Sequence, residues 1–228
     1  MLLPPSGPVS RTVGGRLLAG LAGFHQAYED EDIADLCPPE ARFRMAAPAT
    51  QRADTGPNPH PRRDEILAGW DTFAELVPAE VVDAVFAVHA HPESLTSPLI
   101  AAAPSTLLHG DAKLENLGLA GGRLVAIDWG DLTGIGPAEI EVTYFAVHGG
   151  WRIDWMPDDV FAAYNLYASR PLEPSALDLA CIGSLAQVGF RMAIRCRATD
   201  EGTCVRASAL LDWWVTRVRD ALSRWSPI

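Results

Sequence analysis

Three polar residues are spaced for phosphoryl-transfer chemistry. Asp111 and Asn116 stand five apart in HGDAKLEN, and Asp128 closes the apolar run LVAI twelve residues later. In a D-x-x-x-x-N loop, the aspartate can take the proton of an acceptor hydroxyl while the asparagine offers an oxygen to a metal. An acid at the end of the next strand can grip the same metal against nucleotide phosphates. Mg²⁺ takes hard oxygen ligands, typically one or two carboxylates with phosphates and water. An amide at Asn116 supplies an oxygen without a further negative charge. Two bare carboxylates about 4 Å apart repel by about 4 kcal/mol at an effective dielectric near 20. If Asp111 and Asp128 converge, a cation therefore belongs beside them. Lys113 can balance charge on a transferring phosphoryl group.

A plainer reading is a hairpin whose Asp and Asn side chains cap turns. A lone D-x-x-x-x-N would suit it. The longer pattern H-G-D-x-K-x-x-N, followed by a strand ending I-D-W, favours chemistry. The triplet recurs at Ile153-Asp154-Trp155, but it follows Gly149-Gly150 rather than an apolar strand, so no metal is placed there.

These residues need elements to hold them. A helix is expected from Ser10, as N-cap, to Tyr28, with Leu17, Leu21, Phe24 and Tyr28 on its buried face. Residues 29–61 read as a long loop, acidic at its start and rich in Pro and Arg at its end, with one short turn at Arg42–Met45. Helices follow at Asp64–Leu76, Ala79–His91 and Ser97–Ala103. Three short apolar runs then suggest strands: Thr106–Leu108, Leu117–Leu119 and Leu124–Trp129, with a Gly-Gly turn before the third. Further helices are expected at Ala138–His148, Asp158–Ala168, Ser175–Arg197 and Cys204–Arg224. Helices dominate, and the polar constellation sits on one small β element.

The chain has 228 residues, 48% hydrophobic and 21% charged, enough to bury a core without staples. Its formal charge of −11 argues against nonspecific nucleic-acid binding. No apolar run approaches the roughly 18 residues of a membrane span, so no membrane partner is expected. The start MLLPPSGPVSR lacks the pattern of a signal peptide, and the four cysteines lack C-x-x-C spacing. Reduced thiols in a cytoplasmic protein are the expectation.

HGDAKLEN, then LVAIDWGD, then GIGPAEIEV, resembles the aminoglycoside phosphotransferase and choline kinase family. The resemblance runs from the helix ending LAGFHQAY to the C-terminal helices. It implies an α+β, mostly helical, protein-kinase-like fold whose small β element carries the catalytic and metal loops. It also implies transfer of the γ-phosphoryl group of ATP, with Mg²⁺, to a hydroxyl of a small molecule. Asp111 would be the catalytic base, assisted by Lys113. Lys113 and His109 would lie beside the nucleotide, His109 in support rather than proton transfer, and Asn116 and Asp128 would hold the metal. Glu141 departs from the pattern, which has Asp there. Its extra methylene raises the question whether the catalytic loop keeps its bracing hydrogen bonds.

The nucleotide-clamping half of a kinase needs a Gly-rich loop and a strand lysine. Lys113 is the sole lysine, and no G-x-G-x-x-G precedes it. The whole chain, residues 1–228, is therefore expected to be a single large-lobe domain without the N-terminal lobe. Its first nine residues resemble the linker that enters such a lobe. An acceptor such as an amino sugar or amino alcohol would meet Glu29–Asp32, Asp131, Glu139 and the segment Trp151–Asp159, where aromatic faces can hold a cation. The alternative is a catalytically impaired family remnant that binds a small molecule or a protein. A protein partner or a second copy would then cover the face left by the missing lobe. Trp213 and Trp214 are read as packing.

Overall fold

A computed structural model describes residues 7–31, 33–56, 59–130 and 132–225. Ten helices and four strands are seen among them. In chain order these are α1 (Arg11–Ala27), α2 (Pro39–Met45), α3 (Pro48–Ala53), α4 (Arg63–Leu76), α5 (Ala79–Ala90) and α6 (Glu93–Ala102). Then come β1 (Ser105–Leu108), β2 (Leu117–Ala120), β3 (Arg123–Ala126) and β4 (Gly134–Pro137). The remaining helices are α7 (Ala138–Ile153), α8 (Pro157–Asn165), α9 (Pro174–Cys196) and α10 (Glu201–Arg224). The mostly helical α+β content matches the sequence expectation. The chain divides into two compact units: residues 1–39 with 98–180, and residues 40–97 with 181–228.

The first unit carries all four strands. Ser10 caps α1, its hydroxyl accepting from Val13 N–H at 3.3 Å. The buried face of α1 is Gly14, Leu17, Leu18, Leu21, Ala22 and His25. This corrects the expected stripe at its end: Tyr28 is exposed, and the inward residue of the last turn is His25. That choice matters, because His25 finds buried polar partners while Phe24 remains half-exposed beside Trp129, 5.7 Å between rings.

The strands form two antiparallel pairs. β2 and β3 make the expected hairpin, turning at Gly121-Gly122 with φ of +57° and +80°. β1 instead pairs with β4, Thr106 opposite Gly136 and Leu108 opposite Gly134. β4 has the sequence GIGP, and its Gly and Pro content hid it from a propensity reading. A Cβ on Gly134 would lie 2.3 Å from the Cys37 carbonyl oxygen, so only glycine admits this strand. β1 and the hairpin flank the loop 109–116, while β4 leads directly into α7.

α7 outruns its expected end by five residues and is buried along nearly its whole length. It stops where Asp154 enters the left-handed region at φ +60°. The second Ile-Asp-Trp triplet is therefore a helix C-cap.

Among the described residues, the second unit holds helices and no strands. Its short α2 and α3 replace much of the expected long loop. Pro39 and Pro48 open them, where a missing N–H costs nothing. Phe43, Ala46 and Ala47 bury the apolar positions that sequence reading assigned to loop. Trp70 on α4 donates to the Ala46 carbonyl at 2.7 Å and packs edge-on against Phe73, Phe86 and His89. Trp214 on α10 is completely buried, as packing requires, and Asp200 caps that helix through Thr203 N–H at 2.7 Å. α6 begins four residues earlier than expected and carries Pro98 inside it.

α9 corrects one sequence statement. It is long and apolar enough to cross a membrane by composition, yet 89% of its most apolar window is buried inside the protein, as in a core helix. Among the described residues no disulfide joins any of the four cysteines.

Candidate functional site

The loop after β1 is built around Gly110, whose φ of +91° demands glycine. That turn reverses the chain and presents Asp111. Tight local bonds follow: Lys113 N–H to the Asp111 carbonyl at 2.8 Å, then Asn116 N–H to the Lys113 carbonyl at 2.9 Å. The five-residue spacing thereby becomes contact. Asp111 Oδ2 accepts from Lys113 Nζ at 2.5 Å and from Asn116 Nδ2 at 3.0 Å. Asn116 Nδ2 also donates to the Asp111 carbonyl at 3.0 Å. Asp111 Oδ1 accepts from the Tyr144 hydroxyl at 2.6 Å. Accepting at both oxygens is the behaviour of an ionised carboxylate. The Asp111 and Lys113 side chains keep 24% and 28% of their surface, so a solute can reach both.

Asp128 is reached through its neighbour. Ile127 N–H donates to the Asn116 carbonyl at 3.0 Å, and the Ile127 carbonyl accepts from His109 Nε2 at 2.8 Å. The strand end is thus pinned to the loop from two sides, and Asp128 follows, exposed, with φ at +64°. A non-glycine residue in that region is uncommon and is held by its surroundings. His109 is nearly fully buried. Its Nδ1 accepts from Asp111 N–H at 3.2 Å, so the ring carries its proton on Nε2. Trp129 covers it, 4.4 Å between rings. His109 thus couples the two loops.

Glu141 answers the question raised by its extra methylene. Its carboxylate is completely buried and accepts from Gly110 N–H at 2.7 Å and His109 N–H at 3.1 Å. The longer side chain still reaches the loop. It also meets His25 Nε2 at 3.1 Å, and His25 Nδ1 meets the Tyr164 hydroxyl at 2.9 Å. Burial first, then the nearby Glu139 and Glu141 charges, hold the Tyr164 phenol well above its usual range, so it stays protonated. A buried chain from α8 through α1 and α7 therefore ends on the backbone of residues 109 and 110.

α7 supplies more than Glu141. Tyr144 lies one turn on, and Arg152 reaches Glu115 at 2.9 Å and the Gly7 carbonyl at 2.9 Å. Residues 141, 144 and 152 share one helix face. Sequence reading expected this helix but gave no role to Tyr144, His25 or Tyr164, and placed Arg152 only within the acceptor-lining segment Trp151–Asp159, not as a brace of the loop. The available signal was polar residues at helical spacing in an otherwise apolar helix.

The expected acceptor-lining residues scatter. Glu139 is fully buried; its Oε1 accepts from Glu173 N–H at 2.7 Å and its Oε2 has no partner. Burial raises its carboxyl above the ordinary range. With His25, Thr106 and Tyr164 it lines a cavity of about 20 Å³, room for about one water. Trp155 is buried, Asp154 ends α7, and Asp159 accepts from Met156 N–H at the start of α8. Glu29 lies 3.8 Å from Arg170. Asp32 and Asp131 fall outside the described residues.

The donor set suits Mg²⁺ rather than a softer metal. The amide oxygen of Asn116 takes no part in the bonds above, and Asp128 adds a carboxylate. Among the described residues no group of three His, Cys, Asp or Glu gathers as an all-protein metal cage. A hard ion completed by phosphate and water needs none.

The model of the phosphotransferase enzyme family matches residues 3–175 of the chain. Among solved structures, an aminoglycoside phosphotransferase from Alicyclobacillus acidocaldarius is similar with a TM-score of 0.50 and 15% identity, covering 92% of this chain and 64% of its own. A choline kinase from Cryptosporidium parvum is similar with a TM-score of 0.50 and 8% identity, covering 97% of this chain and 70% of its own. This chain thus spans less than two thirds of the first relative's length. At such identities the likeness shows a shared fold, which is kinase-like. A search of curated proteins finds no significant match.

Proposed function

The chain belongs to the phosphotransferase enzyme family, and from that premise we propose that it moves the γ-phosphoryl group of ATP, with Mg²⁺, to a hydroxyl of a small molecule. The acceptor class is an amino sugar or amino alcohol, the chemistry named in the two similar structures. The observation that carries the reading is the meeting of Lys113, Asn116 and Tyr144 on the carboxylate of Asp111, which stays open to solvent.

In this reading Asp111 accepts the acceptor's proton as its oxygen attacks phosphorus, and the bond to the leaving nucleoside diphosphate breaks. Lys113, held on Asp111, would lie beside the phosphates, and His109 holds the loop that presents both. Asn116 and Asp128 would hold Mg²⁺, which supplies neutralisation of phosphate charge when bound. Positioning and charge stabilisation are nearly all such a reaction asks of the protein.

A second reading has one observation of its own. Tyr28, Ile127 and Trp129 are exposed beside the loop, with Phe24 between Tyr28 and Trp129. A non-catalytic member of the family would use that apolar face to bind a protein partner or a second copy. Calorimetric titration of Mg-ATP, followed by transfer of labelled γ-phosphate to a panel of aminoglycosides and amino alcohols, separates the two. Saturable binding with labelled product supports the first reading. The absence of both refutes it.

A further inference from the structure

Lys113 and Asn116 both grip the same oxygen of Asp111, Oδ2, at 2.5 and 3.0 Å. Two donors on one atom make a pivot. The terminal torsion of an aspartate is broad and roughly two-fold, so a carboxylate held at one oxygen can still swing the other. The second fixed point comes from α7. The Tyr144 hydroxyl donates to Oδ1 at 2.6 Å, and Tyr144 itself is nearly buried, with its ring 4.5 Å from that of His148. The same helix anchors the loop on either side of Asp111, through Glu141 at residues 109 and 110 and through Arg152 at Glu115. An ionised carboxylate has about four lone-pair sites, and these donors take three.

We infer that Tyr144 is a positioning residue for phosphoryl transfer: by holding Oδ1 of Asp111 it fixes the carboxylate plane and keeps the one remaining lone pair aimed at the acceptor hydroxyl. The inference rests on the phosphotransferase reading. Tyr144 itself neither gains nor loses a proton in the step. The acceptor's proton goes to Asp111, the new O–P bond forms, and the bond to the nucleoside diphosphate breaks.

The test is a double-mutant cycle on the full chain, with Tyr144→Phe, Asp111→Asn and the pair. Labelled Mg-ATP is the donor, and kanamycin, choline and water are offered as acceptors. Removing one hydrogen bond to a charged group should lower kcat of Tyr144→Phe roughly 10- to 100-fold, with KM for Mg-ATP unchanged within twofold. In the Asp111→Asn background the same change should cost nothing further, because the carboxylate being positioned is gone. Melting curves fix an assay temperature at which every variant is folded. Unchanged kcat in Tyr144→Phe would overturn the inference. So would a loss that appears in KM, or one that persists at the same factor beside Asp111→Asn, since a general structural role produces both. No turnover by the unmutated chain with any of the three acceptors would bring down the phosphotransferase reading, and this inference with it. Turnover that needs Asp111 but ignores Tyr144 brings down the inference alone.

Discussion

Glu141→Ala is the sharpest test of how the catalytic loop is held. The native carboxylate takes three hydrogen bonds in a site closed to water: Gly110 N–H at 2.7 Å, His109 N–H at 3.1 Å and His25 Nε2 at 3.1 Å. Truncation leaves all three donors buried and unmet. Each unmet donor costs about 1–3 kcal/mol, with relaxation and an invading water recovering part. Net of that recovery, truncation should cost about 3–5 kcal/mol. For a domain of this size, about 1 kcal/mol moves the midpoint by about 2–4 °C, so Glu141→Ala should melt roughly 6–20 °C lower. Glu141→Gln is the control. It keeps shape and one acceptor oxygen but turns an N–H toward a donor, so it should cost about 1–3 kcal/mol. Urea titration gives the ranking, and hydrogen exchange at the His109 and Gly110 amides gives the location, because those amides lose their acceptor in Glu141→Ala. A Glu141→Ala protein within about 1 kcal/mol of the native chain, with both amides still protected, would refute the bracing argument.

Other outcomes follow from the same geometry. Asp111→Asn should lower phosphoryl transfer by about 10²–10⁴-fold while leaving the melting midpoint nearly unchanged, as steady-state kinetics beside calorimetry would show. Glu139 has a folded-state carboxyl raised by burial, so the folded chain binds its proton more readily than the unfolded one. Stability from this group is therefore greatest at acid pH and falls as pH rises from the ordinary carboxylate range through the raised folded value. Glu139→Gln, which keeps the acceptor for Glu173 N–H, should flatten that fall, as urea midpoints across pH 4–8 would report. Gly20→Ala would place a Cβ 2.5 Å from the Cβ of Leu124, forcing α1 off the hairpin at a cost of about 1–3 kcal/mol, measurable by thermal melt.

Much of this was legible in the chain itself. The spacing of Asp111, Lys113 and Asn116 survives as contact because a glycine turn and two short backbone bonds leave the loop little freedom. Strong helices such as α4 and α5 came within a residue of their expected limits, since apolar periodicity and the flanking prolines both mark them. β4 was missed because its pairing with β1 is a tertiary fact: a strand of two glycines, an isoleucine and a proline has no strand signal of its own. α2 was read only as a short turn at Arg42–Met45 and α3 was missed, because the burial of Phe43 and Ala47 supplies what local propensity does not. The partners of Glu141 were invisible for the same reason. His25 lies 116 residues away, and nothing local says that its ring faces a carboxylate.

The placement of bracing groups has a consequence for how the family motif tolerates change. Glu141, Tyr144 and Arg152 lie on one rigid, buried helix, and each holds a different part of residues 109–115. A helix face sets three attachment points with one set of backbone coordinates, whereas three loops would need each to be ordered separately. Shortening Glu141 to Asp should therefore be met by a change in side-chain torsion, while Tyr144 and Arg152 go on holding Asp111 and Glu115. A change that shifts the helix axis, by contrast, would disturb all three contacts together, even when it touches none of the loop residues.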